Sequence, residues 1–265
     1  MAKVRLIFIG DIVGNPGRRA VRELLPGLRE REGAAFVVAN GENVAGGKGI
    51  TKGLALELLA AGVDVLTTGN HVWQKRDVYP FLDSEPRLLR PANYPEGSPG
   101  RGHGVYDTPD GVRLGVLNLQ GRVFMQPIDC PFRAADALLE GPLAEADLVL
   151  CDIHAEATSE KVAMGRYLDG RATLVVGTHT HVQTADECVL PGGTGYITDA
   201  GMTGPLESVI GARIDRVLPF MVGRIPRSFD VAKGPVVLQG VVAELDGSSG
   251  RTVELRRIRL AEEKK

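Results

Sequence analysis

Residues 173–181 read Thr173-Leu174-Val175-Val176-Gly177-Thr178-His179-Thr180-His181. An apolar, β-branched run stops at a glycine and delivers two histidines one residue apart. Unbroken apolarity of this kind suits a strand covered on both faces. If the chain stays extended, alternation puts both imidazoles on one side, close enough to share a metal centre. The same arrangement recurs upstream. The run 4–9 ends in Gly10-Asp11, 35–39 in Asn40-Gly41-Glu42-Asn43, 63–67 in Gly69-Asn70-His71, and 148–151 in Asp152-Ile153-His154. Ligands of open α/β sheets bind where loops leave the carboxyl ends of strands. Five strands therefore offer a carboxylate, an amide or an imidazole at one predicted edge, and four of the five histidines are among them.

Outward from these runs, amphipathic stretches predict helices over 18–32, 51–61, 134–146 and 159–168, with Thr51 as an N-cap and a kink or break at Pro26. Pro16 suits the first turn of the first helix. A further apolar run lies at 114–119, and Val105–Tyr106 and Val112–Leu119 around Asp110-Gly111 make a hairpin. Residues 235–245 and 252–260 alternate around Asp246-Gly247 and predict a second hairpin. Alternating strands and helices with such hairpins make an α/β fold of mixed sheets. Residues 91–103 and 191–212 are rich in Gly and Pro and read as long loops. The end, Glu262-Glu263-Lys264-Lys265, reads as a solvated tail.

Composition limits the function classes. With 31 Lys+Arg against 33 Asp+Glu and a formal charge of -2, nothing attracts a polyanion globally, so stable nucleic-acid binding is not expected. At 43% hydrophobic and 24% charged, the chain is a folded one, and its 265 residues suit a single domain, 1–265. Cys130, Cys151 and Cys188 form no CxxC and are odd in number, which predicts free thiols, with Cys151 buried and inert. Asp11 interrupts the short N-terminal apolar run, which makes a poor signal peptide. No apolar stretch approaches the ~20 residues that span a bilayer. The expected compartment is the cytoplasm.

The donors Asp11, Glu42, Asn43, Asn70, His154, His179 and His181 number seven, more than one ion would use. They suit two metals with a shared carboxylate. Imidazole, carboxylate and amide oxygen without thiolate fit Fe, Mn or Zn. Two metals ~3.5–4 Å apart can hold a bridging hydroxide and clamp a phosphoryl group. His71, next to Asn70, is the candidate general acid for the leaving oxygen.

The strings GDIVGNPGR, NGENVAGGKGIT, GNHVW, DIHAEATSEK, GTHTHVQTAD and DAGMTGP resemble the YmdB-type branch of the calcineurin-like metallophosphoesterases. The motifs cover residues 10–181, extended by 199–205. In the wider superfamily a histidine stands where Val13 is, and an aspartate where Glu42 is. Both changes are expected in this branch, with Asn43 as an added ligand. The resemblance implies a four-layer α/β/β/α sandwich. It implies metal one on Asp11, Glu42, Asn43 and His181, metal two on Glu42, Asn70, His154 and His179, and Glu42 as the bridge. It also implies iron or manganese, with zinc or magnesium as further candidates, and a phosphodiesterase acting on 2′,3′-cyclic nucleotides. The expected partner is thus a small-molecule phosphoester, with homo-oligomerisation left open.

Two other functions stay open on the sequence. One is an amidohydrolase-type barrel, which also uses His-x-His, although there the pair comes from the first strand. The other is a regulatory protein that binds a cyclic nucleotide with vestigial hydrolysis. Several residues carry weaker readings. His103 is a loop histidine or a lid residue. Asp152 is an orienting partner for His154 or a turn residue. Trp73 packs in the core or stacks on a base. Asn93-Tyr94-Pro95 and 201–204 are candidate pocket loops, and no substrate-binding residue is assigned.

Overall fold

The computed structural model describes residues 3–262. The strands are β1 (Lys3–Ile9), β2 (Asp11–Ile12), β3 (Phe36–Asn40), β4 (Val65–Thr67), β5 (His103–Asp107), β6 (Arg113–Gln120), β7 (Leu148–His154), β8 (Leu174–Thr178), β9 (Cys188–Val189), β10 (Gly195–Ile197), β11 (Met202–Pro205), β12 (Val236–Asp246) and β13 (Arg251–Ala261). The helices are α1 (Gly14–Glu32), α2 (Lys52–Ala60), α3 (Tyr79–Ser84), α4 (Pro131–Glu140), α5 (Thr158–Tyr167) and α6 (Ile214–Gly223). The strands form two sheets. One runs β2-β11-β12-β1-β3-β4 with β13 on β12, and the other runs β5-β6-β7-β8-β10-β9. Both are mixed. β1, β3 and β4 are parallel while β12 is antiparallel to β1 and β13. β6, β7 and β8 are parallel while β5 is antiparallel to β6. Two separate sheets with free edges are not the closed parallel barrel of the amidohydrolase alternative.

Alternation along the strands sorts the core. Val4, Leu6 and Phe8 of β1 cluster with Val116, Leu150 and Leu174 of the second sheet. Ile7 and Ile9, the intervening residues, cluster with Val21, Leu25 and Leu28 of α1 and Leu58 of α2. Cys151 and Ile153 of β7 cluster with Ala135 of α4 and Met164 of α5. β3, β7 and β8 are buried along their whole length, which is why their apolar runs are unbroken. β13 alternates and exposes Arg256 and Arg259, charges that blunt a sheet edge.

Several expectations change. α1 runs through Pro26 without a break, and Pro26 and Arg22, whose carbonyl the proline leaves without its helical donor, both lie on the exposed side. Thr51 does cap α2, its hydroxyl accepting from the Leu54 N–H at 3.3 Å. α4 ends at Glu140, short of the predicted 146, where Gly141 takes over. The predicted loop 191–212 contains β10 and β11, and α6 follows it unannounced. Glu262 is no free tail residue: its N–H bonds to the Val236 carbonyl and its carboxylate accepts from Arg19. Residues 263–265 lie outside the described residues. Among those described, no helix is long and apolar enough to cross a membrane.

Candidate metal centre

The predicted ligands leave the ends of strands in both sheets. Asp11 follows β1, Glu42 and Asn43 follow β3, and Asn70 and His71 follow β4, all in the first sheet. His154 ends β7, and His179 and His181 follow β8, in the second. The expectation of one sheet edge is therefore corrected, since the donors converge from two sheets. The isolated bridge between Val13 and Asn43 ties the first two loops together.

Glu42 lies between two sets of donors. Its Oε1 is 3.1 Å from His154 Nε2 and 3.0 Å from His71 Nδ1. His154 Nε2 is also 3.1 Å from Asn70 Oδ1 and 3.0 Å from His179 Nδ1. One donor atom each from Glu42, His154 and His179 lies within 4.8 Å of the others. In the other set, Asn43 Nδ2 is 3.2 Å and Asp11 Oδ1 3.8 Å from His181 Nε2. Asp11 Oδ1 is also 3.9 Å from His154 Nδ1, which closes the circle. His71 Nδ1 is 3.1 Å from Asn43 Oδ1, and its side chain, 24% exposed, reaches solvent where Glu42 does not.

The residues fit a metal. Asp11 and Glu42 are fully buried, yet Asp11 Oδ1 and Glu42 Oε1 accept no hydrogen bond. Such oxygens are costly in a protein interior unless a cation meets them. Gly69 keeps the centre clear: a Cβ there would stand 2.2 Å from Glu42 Oε2 and from His154 Cδ2. Two imidazole nitrogens aimed at each other at 3.0 Å are also a donor arrangement that a cation satisfies.

Burial and the mutual pull of carboxylates and imidazoles shift each of these groups. Burial raises the Asp11 carboxyl, and His181 and His154 only partly offset it. Burial also pushes Glu42 up, but His154 and His71 outweigh it and hold the carboxyl well below its ordinary value. Burial opposes a charged His154, yet Glu42, then Asp11 and Asp152, push it up to about 9. Burial and the neighbouring His154 lower His179 to about 3, leaving it neutral with a lone pair for a metal.

Orienting contacts lie behind the donors. His154 Nδ1 meets Thr178 Oγ1 at 2.9 Å, and that hydroxyl donates to Asp152 Oδ1 at 2.7 Å. Asp152 thus orients His154 through Thr178, which turns Nε2 toward Glu42. Asn40 Nδ2 donates to Asp152 Oδ2 at 2.9 Å, and Asn40 Oδ1 accepts the Glu42 N–H at 3.1 Å.

The histidine pair departs from the extended chain that alternation assumed. His179 and His181 take φ of 94° and 67°, in the left-handed region that residues with a Cβ rarely adopt. A set of hydrogen bonds holds them there. Asp11 Oδ2 accepts the His179 N–H at 2.9 Å. Asp199 Oδ2 accepts the N–H and hydroxyl of Thr180 at 3.1 and 2.5 Å. Lys161, 1% exposed, donates to Asp199 Oδ2 at 2.7 Å and to Thr180 Oγ1 at 3.1 Å. Finally, His181 Nδ1 donates to the Ile210 carbonyl at 2.9 Å. Sequence reasoning gave no role to Lys161, Asp199, Asn40 or Thr178. Lys161 and Asp199 stand inside quoted strings, but a buried Lys–Asp pair leaves no mark on local periodicity.

Other predicted residues lie elsewhere. His103 opens β5 instead of ending a loop and borders a separate cavity with Asp83 and Arg101. Trp73 packs edge-on to Tyr79 and Tyr94, with ring centroids 5.4 and 5.3 Å away. Asn93 spends its amide on the Gln120 and Asp129 carbonyls, and 202–205 forms β11 in place of the expected loop. Cys151 is buried, its thiol pushed well up by burial.

The chain is similar to known proteins over nearly its whole length. The 2′,3′-cyclic-nucleotide 2′-phosphodiesterase of Bacillus subtilis (strain 168) is 47% identical over 255 residues, 96% of each chain. The crystal structure of a phosphatase from Mycoplasma pneumoniae superposes with a TM-score of 0.92 at 33% identity, covering 98% of this chain and 94% of that one. A protein from Thermus thermophilus, solved as a hypothetical protein, gives 0.92 at 44% identity, covering 98% and 100%. With this fold and this donor cluster, the protein is a hydrolase acting on phosphoester bonds. More narrowly, it belongs to the YmdB-like protein family, whose match runs over residues 7–258.

Proposed function

We propose that this enzyme is a dimetal phosphodiesterase whose substrates are 2′,3′-cyclic nucleotides. The observation that carries the reading is the pair of buried, unpaired oxygens, Asp11 Oδ1 and Glu42 Oε1, set among imidazoles. The name and 47% identity of the Bacillus subtilis relative support the substrate class. Asp11, Glu42, Asn43 and His181 would hold one metal and Glu42, Asn70, His154 and His179 the other. Once bound, two such ions neutralise phosphoryl oxygens and make hydroxide available near neutral pH. The nitrogen and oxygen donors favour iron or manganese, with zinc or magnesium as further candidates.

The chain's own groups do the rest. Thr178 and Asp152 fix His154, and Asp199 and Lys161 fix the His179-Thr180-His181 turn, so the donors are set before substrate arrives. His71, steadied at Nδ1 by Asn43 Oδ1, hands a proton to the leaving ribose oxygen. The alternating apolar clusters support the helix–sheet–sheet–helix sandwich as the scaffold. The pairing of β1 with β12 supports one domain over 1–265. The unpaired cysteines accord with a cytoplasmic setting.

The test is metal analysis of protein purified without added metal, followed by turnover of 2′,3′-cyclic AMP and a linear phosphodiester. The expected result is about two metals per chain, with the cyclic ester preferred. Full activity with a single stable metal, or with none, contradicts the reading.

A further inference from the structure

A cavity of about 460 Å³ opens beside His181, within the ~300–1,000 Å³ typical of small-ligand pockets. One side of it is made by the continuations of the ligand loops. Val13 lies two residues beyond Asp11, 45–48 follow Asn43, and Gln74 and Lys75 follow His71. The other side is Ile210, Val217, Met221 and Phe229. Three of these large apolar side chains are open to solvent: Ile210 at 56%, Met221 at 58% and Phe229 at 47%. The polar side chains at the cavity are few, and Lys48, Gln74 and Lys75 each bring N–H donors.

Ile210 joins this cavity to the metal centre. It is β-branched yet takes φ of 45°, a strained conformation that persists only where surrounding contacts impose it. Those contacts are the His181 Nδ1–H on its carbonyl at 2.9 Å and the Ser208 hydroxyl accepting the next residue's N–H at 3.0 Å. The strained backbone thus sets one wall of the cavity and the ring of one predicted metal ligand together.

We propose that this cavity is the nucleobase subsite of the enzyme, a proposal that rests on the phosphodiesterase reading above. A base is flat and largely apolar on its faces, with acceptor atoms at its rim. The apolar wall matches the faces, and the Lys48, Gln74 and Lys75 donors match the rim. His181 borders both cavity and centre, so one nucleotide can place its phosphate at the metals and its base here. An acyl chain would leave the three donors unanswered.

The test compares wild type with Met221→Glu and Phe229→Ala, both at exposed positions. Two substrates share the five-membered cyclic diester: 2′,3′-cyclic AMP and glycerol 1,2-cyclic phosphate, which has no base. In the variants KM for the nucleotide should rise about tenfold or more, as for a lost apolar contact, with kcat and metal content unchanged. Turnover of the glycerol ester should not change. Calorimetry of adenosine, which has the base but no phosphate, with metal-free protein should show binding to wild type that the variants lose. Equal losses on both substrates, or none on either, overturn the subsite. A change in sedimentation with unchanged KM overturns it too, since the face would then join two copies of the chain. Wild type that hydrolyses neither ester overturns the phosphodiesterase reading itself.

Discussion

Glu42 concentrates the chemistry of the site: one oxygen has no hydrogen bond and lies about equally near His154 and His71. Glu42→Gln keeps the size of the side chain but removes the charge that can serve two cations. The variant should lose bound metal and hydrolysis while its far-UV circular dichroism stays that of wild type. Retained metal with full turnover would remove Glu42 from the centre. His71→Ala should behave differently. Turnover of 2′,3′-cyclic AMP should fall ~10²–10⁴-fold, the usual worth of a general acid, with metal retained. A nitrophenyl diester, whose leaving group needs no proton, should lose much less. If His71→Ala loses metal instead, His71 is a ligand. At this scale the sequence was highly legible, because each of these residues follows directly on an apolar run. What it could not supply was the partner of each donor, such as Thr178 for His154.

Among the elements, the turn after β8 shows how local pattern and tertiary contact divide the work. The apolar run predicts the strand, and Gly177 marks its end. Yet His179 and His181 reach the centre through left-handed backbone, and α5 and the segment before β11 supply what holds it. Lys161→Met should therefore act twice. It strands Asp199 as an unpaired buried charge, at a cost of about 3–5 kcal/mol in denaturant unfolding. It also loosens the histidine turn, so metal affinity should fall ~10–100-fold, as for other orienting partners of metal ligands. Titration of the apoprotein with manganese separates the two: unchanged affinity with lowered stability would reduce Lys161 to a packing role. Helix α1 teaches a related lesson. Pro26 predicts a break only if its surroundings are unknown; Pro26 and Arg22 both lie on the exposed side of α1, and the helix runs on.

Over the whole molecule, the donors come from two sheets, so metal binding should link the sheets energetically. At a metal concentration ~100-fold above Kd, one site adds about 2.7 kcal/mol to stability, which for a chain of this length is roughly 5–11 °C in Tm. Stripping metal with a chelator should lower the thermal midpoint by at least that amount, and added manganese should restore it. An unchanged midpoint would mean that the donors do not hold metal in the folded state.

The sequence by itself determined β1, β3, β4, β7 and β8, the two hairpins and the residues at those strand ends, while β10 and β11 lie in a stretch it reads as loop. What it determined follows from apolar periodicity and polar punctuation within a few residues of each other. Only the tertiary structure decided that the ligands divide between two sheets, that Lys161 and Asp199 brace the histidine turn, and that Ile210 links His181 to an apolar cavity. The reason is physical. Sheet pairing, burial of a charge and backbone strain are set by groups far apart in the chain, and no local pattern of residues records them.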